Sequence, residues 1–335
     1  MKKLLFIGRS FHKESKSADF FIKKLESQFD LHLWYPEDHL ITLNAVIDSI
    51  NFETTIVCWQ SEHLSYYFSV NGYKVLNISM YDGIEARSDH FYHLLSGCKH
   101  LNFSMMLHEK MCKMGLDSEY IQYFPKNHSR TSNDRSGVFF WERNPDFLSA
   151  VQVYRIFSYL GVRFVFHRIS SKSKHELTSI INKKNPIVFN DSKIDQEDFN
   201  NLMISCKYFV LSRPTEGIGM SFLDAMSFGL VPIGLNKPTY NEYVTNGYNG
   251  YIYNDSVEQI LIDPDHFVRL SNNIGDYLNS NLMQFINNLS LFVSSLNLKS
   301  VTPLSCLNKN LITLISEKYS ETDFCLDLMD KILHL

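Results

Sequence analysis

The sequence has no long hydrophobic run, no excess of positive charge and no closely paired cysteines. No stretch of about 18 consecutive apolar residues occurs, so we expect no membrane-spanning helix. Acidic residues number 36 and basic residues 32, and the net charge of -4 argues against a protein that binds nucleic acid by neutralising phosphates. The six cysteines are scattered without a C-x-x-C, which is typical of reduced thiols in a cytosolic protein.

The first residues, MKKLLFIGRSFHK, also lack the features of a secretory signal. The apolar run extends only from Leu4 to Ile7, Arg9 interrupts it, and no small-residue cleavage site follows. We therefore interpret this segment as a buried first strand.

What the sequence does contain is a regular alternation of short apolar segments and longer segments with helical spacing. Such alternation predicts parallel, doubly wound α/β sheets. The predicted strands of a first domain are LLFIG, LHLWY, TTIVCW, KVLNIS, LNFS and YIQYF, and those of a second are GVFFW, VRFVFH, PIVF, KYFVL, LVPIG and GYIYN. The length of 335 residues also favours two domains, since one domain usually has roughly 150.

A polar segment rich in Ser and Asn, residues 125–137, lies between the two series and is interpreted as a linker. We place a first Rossmann-like domain at 1–130 and a second at 131–305. The chain from about residue 264 has helical spacing and no clear strand, and residues 306–335 are predicted to form a C-terminal helix.

One stretch, SRPTEGIGMSFLDAMSFGLVPIG from Ser212 to Gly234, places two carboxylates and two glycines between a predicted strand and a predicted helix. The simplest interpretation is local. Ser221-x-x-Asp224 fits a capping box, and Gly229 then ends the helix.

A second interpretation of the stretch is a dinucleotide site. Gly217-x-Gly219 follows a strand and precedes a helix, as in the G-x-G-x-x-G fingerprint. However, Phe222 occupies the place of the third glycine and would prevent close packing of helix and strand, so the pattern is only partial.

A third interpretation uses every feature of the stretch. Exposed amides at the start of a helix favour an anion such as a diphosphate. Glu216 precedes these amides and can accept hydrogen bonds from neutral hydroxyls, whereas Asp224, further along the helix, can accept them from a vicinal diol. A nucleoside diphosphate sugar has these parts in the same order: sugar hydroxyls, diphosphate and ribose diol.

The longer segment EGIGMSFLDAMSFGLVPIG…NEYVTNGYNGYIY resembles the E-x7-E region of retaining GT-B glycosyltransferases, glycosyltransferase family 4. The resemblance covers about 40 residues, and it departs from the family pattern at Asp224, where the second Glu is usual. It implies an α/β fold in which two Rossmann-like domains face a central cleft. It also implies that the C-terminal helix packs back on the first domain.

The resemblance implies a role for each residue of the stretch. Glu216 would bind the donor sugar hydroxyls near the reacting carbon, and Asp224 would bind the ribose hydroxyls. The donor sugar and phosphates would be held at Gly217, Ile218, Gly219, Met220 and Ser221.

The family also places a cation after the first strand of the second domain, and Arg143 is the candidate here, since its planar guanidinium matches phosphate oxygens. The alternative is a surface ion pair with Glu142 or Asp146. Leu148 occupies the position at which relatives often have a lysine. The partner cation is therefore left open among His167, Arg168 and Lys172.

In the first domain, the resemblance implies that Gly8 and Arg9 face the donor phosphates and that Asp82 touches the donor sugar. An ordinary Asp-Gly turn explains Asp82 equally well. His90 and His93 are explained better by a helix than by a metal, because we identify no third ligand and no D-x-D motif of the metal-dependent transferase type. We expect neither a metal nor another cofactor.

Together these features predict a retaining glycosyltransferase with Glu216 and Arg143 as its catalytic residues. Its donor would be a nucleoside diphosphate sugar, with UDP expected first and GDP next, and its acceptor a glycan or lipid-linked glycan in bacterial surface polysaccharide synthesis, such as O-antigen. We expect a cytoplasmic protein that binds no nucleic acid, with a peripheral contact to the inner membrane face through the helix near Lys13 as an option. The alternatives are a nucleotide-sugar epimerase of the same fold and a non-catalytic nucleotide-sugar-binding subunit.

Overall fold

The structure is a computed structural model, and it describes residues 1–38, 40–128, 135–190, 196–296 and 298. The chain divides into two compact units. The first consists of Met1–Gln122 together with the described residues from Ile286 onward, and the second is Tyr123–Phe285. These divisions differ from the expected ones at residues 130 and 305, and the predicted helix 306–335 lies outside the described residues.

The first unit contains a six-stranded sheet in which every neighbouring pair is parallel. Its order is β2-β1-β3-β4-β5-β6. The strands are β1 Lys3–Ile7, β2 Asp30–Trp34, β3 Thr55–Trp59, β4 Lys74–Ile78, β5 Lys99–Asn102 and β6 Ser118–Tyr120. All five residues of β3 are buried, as expected for an inner strand covered on both faces.

The helices of the first unit cross between successive strands. Two of those described begin at a residue whose side chain accepts a backbone amide: Thr42 accepts from Ala45, and Ser88 accepts from Phe91. In this unit they are α1 Phe11–Ser15, α2 Asp19–Glu26, α3 Leu43–Ser49, α4 Glu62–Val70, α5 Tyr81–Ile84, α6 Asp89–Leu94 and α7 Met105–Lys113, and a 3-10 turn covers Pro36–Asp38.

The second unit contains another six-stranded parallel sheet, of order β12-β11-β10-β7-β8-β9. Its strands are β7 Val138–Trp141, β8 Phe164–His167, β9 Ile187–Asn190, β10 Tyr208–Val210, β11 Val231–Leu235 and β12 Tyr251–Tyr253. The chain builds outward from β7 in one direction and then returns to add β10 on its other side. The strand order therefore reverses between β7 and β10, which is where open α/β sheets bind ligands.

The helices of the second unit are α8 Ala150–Phe157, α9 Ser171–Ile180, α10 Gln196–Ile204, α11 Met220–Ser227 and α12 Tyr240–Tyr243, and α13 Phe267–Ser294 follows them. Short 3-10 turns cover Ser158–Leu160, Val257–Gln259 and Pro264–His266. The division at Phe285 falls inside α13.

The fold-class prediction is confirmed, since the structure contains two parallel α/β sheets and a long helix after the last strand. The segment YIQYF is the exception among the predicted strands, because β6 ends at Tyr120. The amide of Tyr123 donates to the hydroxyl of Tyr243 at 3.2 Å, and the ring of Phe124 packs on those of Tyr243 and Tyr277. These contacts assign the end of the segment to the second unit.

Candidate active site

The predicted donor site lies at the point where the strand order of the second sheet reverses. Arg143 follows β7, and the segment from Ser212 to Gly219 follows β10, which pairs directly with β7. Both loops are at the carboxyl ends of their strands, so the topology brings them to the same edge of the sheet.

Helix α11 begins at Met220, and Gly219 is its N-cap with a left-handed backbone of φ 83°. Its first intrahelical bond runs from the amide of Leu223 to the carbonyl of Gly219 at 3.1 Å. The amides of the preceding turn therefore have no intrahelical acceptor, which makes them available to an anion.

This start of α11 contradicts the capping-box interpretation, because Ser221 is already inside the helix and no side chain caps it. The second part of that interpretation, in which Gly229 ends the helix, is confirmed. The helix ends at Ser227, and Gly229 follows with φ 80°, as a C-terminal glycine does.

The aromatic residue in the third position of the glycine pattern has a structural role. A Cβ atom at Gly219 would lie only 1.9 Å from the Cε1 atom of Phe222. The Phe222 ring is fully buried and packs edge-on against those of Tyr240 and Tyr243, at centroid distances of 5.3 and 5.6 Å. The Phe222 ring thus packs directly against the turn. It leaves no space for a side chain at position 219, so the turn requires glycine.

Glu216 is buried at the start of this turn. Its amide donates to the carbonyl of Pro238 at 3.2 Å, which attaches the loop after β10 to the loop after β11. The Nη1 atom of Arg213 lies 3.7 Å from Glu216 Oε2, so a cation stands beside this carboxylate.

Asp224 is partly buried in the middle of α11. Within the ranges that the structure describes, no hydrogen bond or ion pair reaches its carboxylate. Burial without a compensating partner raises the pKa of Asp224 from its usual 3.8 to about 7. The side chain therefore retains unused capacity to accept hydrogen bonds next to the helix start.

Arg143 is exposed two residues beyond β7, and its guanidinium carbon lies 4.8 Å from the centre of the Trp141 ring. The neighbouring Glu142 is buried and turned inward, where it accepts hydrogen bonds from the amides of Ala150 and Ser170. The expected alternative of a surface pair between Arg143 and Glu142 is therefore not the arrangement that the structure shows.

Sequence reasoning considered Glu142 only as a partner for Arg143 and so missed this inward arrangement. The sequence pattern could not show that Glu142 accepts a hydrogen bond from the amide of Ser170, because Ser170 is 28 positions away. An acidic residue immediately after a strand, with two serine-capped helices to follow, is the only signal that the sequence offers.

The candidates for a second cation occupy different environments. Leu148 is buried, and His167 is buried at the end of β8, where burial first and the nearby charge of Arg168 next lower the pKa of its imidazole. His167 is consequently neutral at pH 7. Arg168 and Lys172 are both exposed.

The predicted residues of the first unit lie at the carboxyl edge of the first sheet. Gly8 and Arg9 follow β1, and Arg9 Nε lies 3.0 Å from Oε1 of Glu37. Asp82 is partly buried in α5, a short helix rather than an ordinary Asp-Gly turn.

His90 and His93 lie on α6, as the helical interpretation expects. Across the described residues, no group of three or more His, Cys, Asp or Glu side chains is arranged to hold a metal ion. The one D-x-D triplet of the sequence, Asp263-Pro264-Asp265, forms a 3-10 turn in which the Asp263 side chain accepts the amide of Asp265 at 3.0 Å. Among the residues that the structure describes, no helix has the length and apolar content needed to cross a bilayer.

Comparisons with known proteins address the fold and the second unit. Among solved structures, the chain is similar to Anabaena HepE in complex with UDP and glucose, with a TM-score of 0.64 and 11% identity over 88% of this chain and 100% of that one. Sucrose-phosphate synthase from Thermosynechococcus elongatus gives a TM-score of 0.62 at 10% identity over 88% and 100%. The lipopolysaccharide outer core galactosyltransferase WaaB, in its apo form, gives 0.57 at 14% identity over 87% and 98%. A comparison with curated proteins gives no match.

These likenesses define the fold as that of the GT-B class. Residues 172–274 match the family model described as glycosyl transferases group 1. The matched range includes Glu216, the start of α11 and Asp224, but it excludes Arg143 and the whole first unit.

Proposed function

We propose that this protein is a retaining glycosyltransferase that takes its sugar from a nucleoside diphosphate sugar, with UDP as the first candidate. The observation that carries the proposal is the pairing of two unused binding features on α11. The helix offers amides without intrahelical acceptors at its start and, one turn further on, the carboxylate of Asp224, to which no described donor is bonded.

The two features fit adjoining parts of one ligand. The amides of the first turn suit the diphosphate, and Asp224 suits the two hydroxyls of a ribose, which are neutral donors. Ligand hydroxyls would supply the hydrogen bonds that this partly buried carboxylate lacks, so nucleotide binding removes an existing cost in the free protein.

The proposed chemistry rests on stabilising the leaving diphosphate. The bond between the anomeric carbon and the diphosphate oxygen breaks while the acceptor oxygen bonds to the same face of the carbon. The proton of the acceptor hydroxyl passes to an oxygen of the departing diphosphate. Arg143 and the α11 amides would stabilise the charge that develops on the diphosphate, and Glu216 would hold the sugar ring through its hydroxyls.

Support for the donor class comes from the structural neighbours. HepE has been solved in complex with UDP and glucose and also with UDP-glucose, and WaaB is a galactosyltransferase by name. We extend this to the present chain as a UDP-sugar, with GDP-sugars as the next candidate. The proposal includes neither a metal nor another cofactor.

The acceptor in this proposal is a hydroxyl of a glycan or lipid-linked glycan of a bacterial surface polysaccharide. It would bind at the carboxyl edge of the first sheet, where Gly8, Arg9 and Asp82 lie. This assignment rests on the resemblance to glycosyltransferase family 4.

The test is a thermal-shift series with UDP, GDP, ADP, CMP and NAD on wild type, Asp224→Ala and Asp255→Ala. Asp255 is an exposed aspartate in the same unit and serves as the charge-matched control. We expect one nucleoside diphosphate to stabilise wild type and the Asp255 variant but not the Asp224 variant. Stabilisation by NAD would overturn the proposal in favour of a dinucleotide site, and a folded protein that responds to none of them would contradict a preformed donor site.

Transfer itself is tested by incubating wild type with the sugar nucleotide that contains the stabilising nucleoside diphosphate. Both the released nucleotide and the sugar are then followed. Release of the nucleoside diphosphate with an acceptor glycan supports transfer, and the anomeric configuration of the product decides between retention and inversion. Conversion of the donor to another sugar nucleotide without an acceptor would identify an epimerase instead.

A further inference from the structure

Helix α7 of the first unit places an imidazole and a thiol side by side. His108 and Cys112 are four positions apart, so one turn of the helix brings them onto the same face. The Sγ atom of Cys112 lies 3.7 Å from Nε2 and 3.7 Å from Nδ1 of His108. Of the four cysteines that the structure describes, Cys112 is exposed and the other three are buried. The pair is therefore open to a ligand from solvent.

The separation of the two side chains is that of two ligands on one metal ion. Zinc binds a thiolate sulfur at about 2.3 Å and an imidazole nitrogen at about 2.0–2.1 Å, in tetrahedral geometry. Those bond lengths and the tetrahedral angle place the sulfur and the nitrogen about 3.6 Å apart. The observed distance between Cys112 Sγ and His108 Nε2 is 3.7 Å. Thiolate and imidazole ligands also favour zinc over magnesium or calcium, which prefer oxygen.

The imidazole of His108 is already held in one orientation. Its Nδ1 atom lies 2.9 Å from Oγ of Ser118, the first residue of β6. The ring of Tyr120 lies nearly parallel to the imidazole, with centroids 6.1 Å apart. The side-chain amide of Asn102 donates to the same Ser118 oxygen at 2.8 Å. Metal-binding histidines usually donate their other N–H to such a partner, which fixes the tautomer and leaves one nitrogen for the ion.

The tautomer that zinc requires is compatible with these bonds. An ion on Nε2 needs the proton on Nδ1, which then donates to Ser118. The Ser118 oxygen has two lone pairs and accepts from both His108 and Asn102. The thiol lies equally far from the two ring nitrogens, so it must rotate about its Cα–Cβ bond to face Nε2. Exposure of the Cys112 side chain leaves room for this rotation.

The lysines of α7 are engaged with other groups. The ammonium of Lys110 lies over the Tyr92 ring, 4.2 Å from its centroid. Lys113 Nζ lies 3.8 Å from Oε2 of Glu109, which compensates its charge. The positive charges of the helix are thus partly offset, which lessens their repulsion of a metal cation.

We propose that His108 and Cys112 form a binding site for one divalent metal ion of the zinc class, and that Ser118 is the positioning residue that orients the imidazole. The thiol proton passes to solvent as the sulfur bonds to the ion, and water fills the remaining coordination positions. The site has two protein ligands, which agrees with the lack of a larger metal-binding group among the described residues. It is independent of the proposed transfer reaction, in which no metal takes part.

The test is a calorimetric titration of the whole chain, reduced and free of metal, with Zn²⁺ and separately with Mg²⁺. The variants are Cys112→Ser, Ser118→Ala and His90→Ala. His90 is an exposed histidine on α6 in the same unit, and its removal is the matched control. Titration in two buffers of different ionisation enthalpy counts the protons released. Any zinc site elsewhere on the chain is common to all variants and cancels in the comparison.

We expect wild type and His90→Ala to bind Zn²⁺ equally, with release of the thiol proton, and to show no binding of Mg²⁺. Cys112→Ser should weaken Zn²⁺ binding at the site at least about tenfold and should abolish the release of that proton, because the thiolate ligand is lost. Ser118→Ala retains both ligands but not the bond that orients the imidazole, and it should weaken binding about tenfold. The melting temperature of each variant without metal checks that it is folded.

Each contrary result has a distinct meaning. Equal Zn²⁺ affinity and equal proton release in wild type and Cys112→Ser overturn the site. A folded Ser118→Ala protein with the wild-type affinity overturns the positioning role. A loss in His90→Ala as large as that in Cys112→Ser contradicts the assignment to α7, and Mg²⁺ that competes with Zn²⁺ contradicts selection by ligand type. These outcomes do not bear on the proposed function, whose test is the response to nucleotides.

Discussion

The first strand of each unit ends in a loop that carries an arginine at the point of strand reversal, and the two loops use that charge differently. In the first unit, Arg9 is bonded to Glu37, which also accepts the amide of Ser10 at 2.5 Å. In the second unit, the neighbouring glutamate is turned toward helix amides, and Arg143 lies over the ring of Trp141. Glu37 neutralises the charge of Arg9, whereas Glu142 bonds to helix amides and so fixes the loop that carries Arg143.

The carboxylates at the two edges show the same contrast in their ionisation. Burial acts to raise the pKa of Glu37, but the hydrogen bonds from Ser10 and Arg9 prevail and lower it. Burial alone raises the pKa of Asp224. At the first edge Glu37 is paired with Arg9, whereas at the second edge the carboxylate of Asp224 has no described partner, and we expect the tighter ligand site at the second edge.

The largest effect is expected from disrupting the Gly219 turn at the start of α11. In Gly219→Ala, the new methyl group would clash with the Phe222 ring at 1.9 Å and would also force a residue with a side chain into φ 83°. We expect a loss of at least about 3 kcal/mol in the free energy of unfolding of this unit. Gly161→Ala is the control, because φ is 63° there but no atom lies within 4 Å.

Chemical denaturation of the two variants measures the difference. The control should lose only about 1 kcal/mol, the cost of the left-handed backbone. Equal losses in both variants would mean that the Phe222 ring moves away without cost, and the rigid turn would then be an incorrect description.

The next effect concerns Asp224→Asn, which removes an ionisation that the folded state disfavours. Because the folded pKa of about 7 lies above the usual 3.8, the folded protein holds this proton more tightly, and wild-type stability falls as pH rises between those values. The variant has no carboxyl group to ionise at this position, so its stability does not fall in this way. Its stability relative to wild type should therefore increase by about 2–3 kcal/mol from pH 5 to pH 8.

Urea unfolding at several pH values checks this prediction, with Asp255→Asn as a control for an exposed aspartate. The same Asp224 variant should bind the nucleoside diphosphate more weakly, so that stability and binding change in opposite directions. A difference between variant and wild type that does not vary with pH would show that Asp224 already has a partner in solution.

A third comparison sets the two arginines against each other. Arg143→Ala should weaken binding of the stabilising nucleoside diphosphate about tenfold to a hundredfold, because the proposed charged contact to phosphate would be lost. Arg9→Ala should cost less than about threefold, since Glu37 already compensates its charge. Calorimetric dissociation constants for both variants decide the matter, and equal losses would indicate that Arg9 leaves Glu37 when the donor binds.

The smallest effect is expected for Glu37→Gln in the first unit, about 1 kcal/mol of stability at pH 7. The sign of its pH dependence is opposite to that of Asp224. The contribution of Glu37 is present above the usual pKa of 4.5 and is lost as pH falls through the lowered folded value, so variant and wild type should converge in acid. Denaturation at pH 7 and pH 3 tests this, and a constant difference would assign the loss to packing.

The sequence predicts the two sheets well, because buried parallel strands such as β3 and β7 are continuous apolar runs between helical segments. It also points to the candidate site on α11, since glycines and carboxylates between a strand and a helix are visible locally. The burial of Asp224 and the inward bonds of Glu142 are different in kind. They depend on neighbours distant in the chain, such as Ser170 and Ser173.

Local signals also mislead where two explanations share one pattern. Ser221 and Asp224 have the spacing of a capping box, but Gly219 caps α11 instead, because its backbone turns left-handed over Phe222. Likewise, YIQYF is apolar enough for one strand, yet its last aromatics pack in the second unit. Tertiary contacts decide both cases, and the local sequence does not contain them.

The chain enters and leaves the second unit at one place. The rings of Tyr123 and Phe285, the first and last residues of that unit, meet edge-on with centroids 5.2 Å apart. In terms of connectivity, the second unit is therefore an insertion into the first, with both junctions side by side. Residues 123–285 could therefore be exchanged as one piece at these two neighbouring junctions. Such an exchange would change what the second unit binds and leave the rest of the chain unaltered.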